Sequence, residues 1–320
     1  MRRTASSEAA RLRAAVAEDV PTIDAAARAW TGLGADLPPT RIRVVSRDGW
    51  VAANLVGLRG ALAPIEDRLG DRPLARPALS VQLGALFGLL STKVLGQFVL
   101  PLGGPGQAQL VIVGPNVLEL SERYGPLATD VRRTVLLHEL THRLQFDAVP
   151  WLGDHLRGIL VRYLEASRVD PSAVLAAIGR LPEAVRALRE DRDVTPLMTI
   201  VLTDEQRRIV DEAQALMTLL EGHGTAVMYA AADGLVSDPA TVRDALERSR
   251  GDWKSKVLGA VAGIEMKRRQ YRTGEIFVRE VVDTAGVEGL NRAFADPESL
   301  PTLDEIAEPS RWLDRVGVGR

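Results

Sequence analysis

His138, Glu139 and His142 stand in the segment His-Glu-Leu-Thr-His, an HExxH sequence. On an α-helix four residues turn the chain about 400°, so the two imidazoles project about 40° apart from one face. Two such rings can both reach one zinc ion at about 2.0–2.1 Å. Glu139, turned about 100° from His138, points to the open side of that ion, where a bound water would sit. Zinc lowers the pKa of such a water toward about 7. Glu139 would accept the proton as the hydroxide attacks a carbonyl and pass it to the leaving nitrogen, while zinc stabilises the oxyanion. The chemistry expected is therefore zinc-dependent hydrolysis of peptide (amide) bonds, with Zn2+ as cofactor and a peptide or protein as substrate. With only 4 His in 320 residues, composition predicts about 0.003 accidental matches to the motif.

A catalytic zinc needs a third protein ligand. Metzincins place a His six positions beyond the second motif His; Ala148 stands there, which excludes that class. The remaining histidines are His155 and His223. Residues 219–224, Leu-Leu-Glu-Gly-His-Gly, offer both Glu221 and His223. The apolar stripe of that helix does not choose between them, since Glu221 lies roughly 75° to one side of its centre and His223 roughly 85° to the other. Gly222 and Gly224 clear both flanks for a neighbouring helix or a metal site. His155 could itself be a ligand, a substrate-binding group or a packing residue at a helix start, and His223, His155 and Tyr271 are candidates to hydrogen-bond a ligand or the transition state. Tyr229 joins Tyr271 as an oxyanion donor, and Asp147 and Asp154 as acceptors for imidazole N–H groups. Lys267, Gln270 and Tyr271 form a polar cluster that lines the cleft or makes a buried network.

The elements that must position these groups are mainly helical. Apolar periodicity predicts helices over 6–32, 50–69 and 78–98, from just after Pro126 to about Phe146, over 152–167, and from a Thr203–Gln206 capping box to about Ala232. The chain then stays helical to about Phe294. Residues 41–45 suit a short strand, and Leu110–Val113 between Gly-Pro turns is the clearest strand. The fold class expected is mainly α (α+β), with a small β element. One domain over 1–320 is expected, with an N-terminal helical part of about 1–100 and a catalytic part of about 101–320.

Composition narrows the function further. The chain is 46% hydrophobic but only 4% aromatic, so its core is aliphatic. The 40 basic and 42 acidic residues give a net charge of −2, which argues against nucleic acid as a partner. The absence of cysteine removes disulfides, thiol catalysis, cysteine zinc sites and iron–sulfur clusters. No apolar run reaches signal-peptide or membrane-spanning form, so the expected location is cytoplasmic, with no membrane partner. The oligomeric state is not legible.

The run from His138 to Leu156, HELTHRLQFDAVPWLGDHL, resembles the zincin-like metallopeptidase type 2 family of bacterial proteins. So do Leu220-Glu221-Gly222-His223 with Val227-Met228, Lys267 to Tyr271 with Gly274 and Phe277, and the closing Leu300-Pro301-Thr302 with Pro309 and Trp312. The resemblance implies a zinc hydrolase of mostly helical fold, with His138 and His142 as ligands and Glu139 as base. By similarity to glutamate-type zincins it implies Glu221 as third ligand. One position departs: Thr225 stands where those zincins place an Asp. It also implies an extended substrate lying along an edge strand ahead of the zinc helix, for which Leu110–Val113 is a candidate, an ordinary core strand being the alternative. Some members carry a label of deazaflavin coenzyme biosynthesis. The alternative function is accordingly a non-hydrolytic binding or assembly partner linked to that pathway, with hydrolysis of a non-peptide amide such as a polyglutamyl tail third.

Overall fold

The computed structural model of the chain describes residues 2–69, 84, 87–101, 108–166, 204–249 and 269–318. In chain order the elements are α1 (Arg2–Thr31), β1 (Ile42–Val45), α2 (Arg47–Leu69), β2 (Gly96–Val99), β3 (Gln109–Val113), α3 (Gly114–Tyr124) and α4 (Ala128–Ala148). They are followed by α5 (Leu152–Ala166), α6 (Asp204–Ala230), α7 (Pro239–Ser249), α8 (Arg269–Asn291), α9 (Leu303–Ala307) and α10 (Pro309–Val316). The fold is mainly helical with one small sheet among the described residues. No described helix is long and apolar enough to cross a membrane. The proline-rich region 171–196, the Thr203 cap and Lys267 lie outside the described residues.

The three strands run in the order β1-β3-β2, with β1 parallel and β2 antiparallel to β3. The central strand is buried on both faces, which is why its sequence Leu-Val-Ile-Val is continuously apolar. Leu110 and Ile112 face α1 and α4, together with Phe98. Val111 and Val113 face Trp50 of α2, together with Val99. Leu110–Val113 is thus the central, core strand, and β1 and β2 are the two edges, β2 being the one that lies against α4.

That edge corrects the helix expected over 78–98. Residues 87–91 are helical, Thr92 and Lys93 turn, and Gly96–Val99 are extended. A stretch apolar on all sides has no period to separate a buried helix from a buried strand. What fixes β2 is pairing with β3, fifteen or so residues away and invisible to any local window. The helix α3, also unexpected, starts with Pro115 at its first turn, where a missing N–H costs nothing.

Helix α4 is the axis of the molecule. Val131, Leu136, Leu137, Leu140 and Leu144 are all fully buried, because α1, α3, the sheet and α6 surround it. Thr134 and Thr141 hydroxyls satisfy themselves in this core by donating to Asp130 O and Leu137 O, 2.8 Å each. Both ends are clamped to the N-terminal part of the chain. Asp19 of α1, itself buried, accepts from Arg132 (2.8 and 3.0 Å) and Arg133 (2.8 Å). At the other end Arg143 donates to Pro38 O (2.8 Å), to the Thr40 hydroxyl and to Asp147 (3.0 Å).

Helices α6 and α8 cross at glycines. A Cβ on Gly222 would fall 2.3 Å from the Gly274 carbonyl carbon, and one on Gly274 would fall 2.2 Å from Thr218 O. Only glycine at both positions permits this backbone approach. Around it Leu216, Leu219 and Leu220 pack with Phe277, Val281 and Trp312. Helix α6 is thereby held between α8 on one side and α4 on the other.

Candidate functional site

His138 and His142 leave α4 on the side that faces α6, with ring centroids 4.6 Å apart. Their Nε2 atoms are 3.1 Å apart. Glu221 arrives from α6 with its carboxylate oxygens 3.5 Å from His138 Nε2 and 3.7 Å from His142 Nε2. One ligand atom from each of the three lies within 4.8 Å of the others. Ligand atoms at about 2.0–2.1 Å on a tetrahedral ion sit roughly 3.3 Å apart. The three distances bracket that value, so the residues fit a single small cation.

The approach of the two helices depends on Gly224. A Cβ there would lie 3.0 Å from His138 Cε1 and 3.3 Å from His142 Cε1. The two glycines of residues 219–224 therefore serve different neighbours: Gly222 admits α8 and Gly224 admits the imidazoles.

Glu139 is buried against β2. A Cβ on Gly96 would fall 2.7 Å from Glu139 Cγ and 2.8 Å from Ile112 Cδ1, so the carboxylate side chain occupies space that any other residue would fill. The strand above it also presents an edge. Val113 N–H donates to Leu95 O at 2.9 Å, and the register continues through Gln97↔Val111 and Val99↔Gln109. In an antiparallel ladder such pairs alternate, so Gly96 and Phe98 aim their N–H and C=O groups outward. Among the described residues no backbone group pairs with them. The Gln97 side chain lies on the other face and is held by Trp50 Nε1 (2.7 Å) and Asn54 (3.0 Å).

The other candidate residues fall elsewhere. His223 is fully buried on α6, between Trp30 (5.9 Å) and Phe294 (5.4 Å). Its Nδ1 is 2.9 Å from Gln145 Nε2, and it is not part of the three-residue cluster. Burial, and next the charge of His142, push its pKa from 6.5 down to about 3, so the ring stays neutral. His155 packs edge-on against Trp151 and lies 3.4 Å from Glu212, nine residues before Glu221 on α6, about 13 Å along the axis. Tyr229 lies beneath the Arg243 guanidinium, 4.3 Å from the ring centroid. Tyr271 and Gln270 belong to α8, but their side chains lie outside the described residues. Asp147 pairs with Arg143 (3.0 Å) and Asp154 with Arg157 (2.9 Å), so neither is turned to a motif imidazole.

Two residues of the site escape the sequence reading. Gln145 is fully buried, and its Oε1 is 2.9 Å from His142 Nδ1. Its position three residues after His142, on the same helical face, was the available signal. Gly96 carried none, because its role exists only once β2 lies over α4.

An HExxH helix facing a carboxylate on a second helix, beside a small sheet, defines a zincin-type hydrolase scaffold. The chain belongs to the zincin-like metallopeptidase family, whose model matches residues 1–313. That family implies a metal ion, and His138, His142 and Glu221 are a set able to hold one. The chain is also similar to a solved structure from Chloroflexus aurantiacus, proposed to be a hydrolase and noted for a novel fold. The two share 29% identity over 96% of this chain and 91% of the other, with a TM-score of 0.73. No protein of curated function matches the sequence significantly.

Proposed function

We propose that this chain is a zinc peptidase of the glutamate-ligand type, with His138, His142 and Glu221 as ligands and Glu139 as base. The observation that carries the reading is the convergence of two imidazoles and one carboxylate within 4.8 Å, with the motif glutamate packed against the β2 backbone at Gly96. Zinc, when bound, supplies the Lewis acidity that activates water for attack on a carbonyl. Glu139 accepts the proton of the attacking water and returns it to the departing nitrogen. Its burial keeps bulk water from competing for that proton. The outward groups of Gly96 and Phe98 hold the substrate backbone as an added strand, which favours an extended peptide over a compact small molecule. Beside that edge Phe98, stacked on Phe146 at 6.0 Å, gives the strand a rigid apolar support.

The test is hydrolysis of a peptide library by zinc-loaded protein, compared with Glu139→Gln. The expected result is cleavage by the wild type and a loss of about 10²–10⁴-fold in the variant, with zinc content unchanged. A wild type that binds zinc and cleaves nothing, or a variant as active as the wild type, overturns the reading. The first of these results would put the non-hydrolytic binding role in front.

A further inference from the structure

The amide of Gln145 touches three groups from two helices. Oε1 is 2.9 Å from His142 Nδ1, and Nε2 is 3.0 Å from Leu220 O and 2.9 Å from His223 Nδ1. Only one of the three has a role fixed in advance: a backbone carbonyl can only accept. Leu220 O must therefore meet the NH₂ end of the amide, which leaves Oε1 facing His142. Oε1 can only accept, so the His142 proton stands on Nδ1 and the Nε2 lone pair points toward His138 and Glu221. The second amide N–H then meets His223 Nδ1, which must accept, placing that ring's proton on Nε2.

The amide and its partners on α6 are closed off from water. Gln145 is fully buried, and so are Leu220 and His223. Turning the amide over would set its NH₂ against the His142 ring and its oxygen against Leu220 O, two lone-pair-bearing groups about 3 Å apart in a dry core. The tautomer of an imidazole on α4 is thus dictated by a main-chain carbonyl on α6, one residue before Glu221.

We propose that Gln145 is a positioning residue that presets His142 in its Nδ1–H tautomer and ties that ring to the helix carrying Glu221. An isolated imidazole in water favours the opposite tautomer, which puts a proton where the cation belongs. Gln145 removes that competition before metal arrives and registers α4 against α6 at the same point. The consequence for zinc rests on the metal reading of His138, His142 and Glu221; the tautomer does not.

The experiment uses the full chain, labelled with ¹⁵N-histidine and freed of metal, at pH 8. Long-range ¹H–¹⁵N spectra distinguish the two neutral tautomers, and the signals of His142 are assigned by their loss in His142→Gln. The expected result is Nδ1–H for His142 and Nε2–H for His223. In Gln145→Met, of similar length but without the amide, His142 moves toward Nε2–H. Its zinc Kd, measured by chelator competition, rises about 10–100-fold. Nε2–H at His142 in the wild type overturns the proposal, as does a folded Gln145→Met whose Kd stays within about twofold of wild type. If Gln145→Met fails to fold, the wild-type tautomers decide. Absence of zinc binding by the wild type would sink the metal reading and leave the tautomer result standing on its own.

Discussion

Two histidine–glutamate encounters are strung along α6, nine residues apart, and they differ in everything but residue type. At Glu212 one imidazole, His155, comes within 3.4 Å, and the side chain of Glu212 is 38% exposed. Both oxygens of that carboxylate also accept from Arg162 Nη2 at 2.6 Å, a permanent cation. At Glu221 two imidazoles converge from successive turns of one helix, and the carboxylate side chain is only 14% exposed. Gly224 gives those rings room, and Gln145 orients one of them. A carboxylate already matched to a guanidinium at the surface has little left for a metal ion. What separates a candidate centre from a surface ion pair here is convergence, burial and support behind the ligands, not the presence of His and Glu.

Replacing each carboxylate in turn is the sharpest test of that contrast. Glu221→Ala should reduce zinc from about one per chain to none, as measured by elemental analysis of protein purified without added metal. The same variant should lose hydrolysis with it. Retention of zinc by Glu221→Ala would remove the difference between the two sites.

The next largest effect is expected at Gly96. Gly96→Ala inserts a methyl 2.7 Å from Glu139 Cγ and 2.8 Å from Ile112 Cδ1. Overpacking of this kind costs about 1–3 kcal/mol, readable from thermal melts. Because the displaced group is the proposed base, hydrolysis should fall further, on the order of 10²-fold. Unchanged activity with lowered stability would make Gly96 a packing residue only.

Helix α6 should also carry an acid sensitivity. The folded pKa of His223 is about 3, against 6.5 in the unfolded chain, chiefly through burial. Between those values the unfolded chain binds a proton that the folded chain refuses, so stability falls as the pH drops from about 6.5 toward 3, and is unaffected above that window. The slope for one such group is about 1.4 kcal/mol per pH unit. Denaturation of metal-free protein across that range should show it, and His223→Phe should lower the slope by that amount. An equal slope in the variant would place the acid sensitivity elsewhere.

The smallest effect belongs to the other end of the comparison. Glu212→Ala removes a half-exposed carboxylate and should cost about 0–1 kcal/mol, with zinc content unchanged. Loss of zinc in this variant would show that the two encounters are not independent.

Much of the scaffold was legible from spacing. The period of apolar residues located α1, α4, α5 and α6, and the run Leu110–Val113 marked β3. Local sequence failed at β2, because Gly96, Phe98 and Val99 are all buried and carry no alternation, and at α3, which no expectation covered. It left Leu110–Val113 open between a substrate-binding edge and an ordinary core strand, and pairing on both sides with β1 and β2 makes it the core strand.

By itself the sequence determined that His138, Glu139 and His142 share a helix, because four residues on a 3.6-residue turn admit only one arrangement of their side chains. Helix geometry left the third group open between Glu221 and a histidine, since Glu221 and His223 lie at similar angles from the apolar stripe, and only the family resemblance favoured Glu221. Tertiary packing decided which of them meets the two motif imidazoles. The glycine crossing of Gly222 with Gly274 fixes how α6 is rotated, which turns Glu221 toward the two imidazoles and buries His223 between Trp30 and Phe294. The outward edge of β2, the space beneath Gly96 and the orientation of the Gln145 amide are likewise properties of contacts between distant segments. Periodicity along one helix constrains that helix alone, and a rotation about its axis is set only by what packs against it.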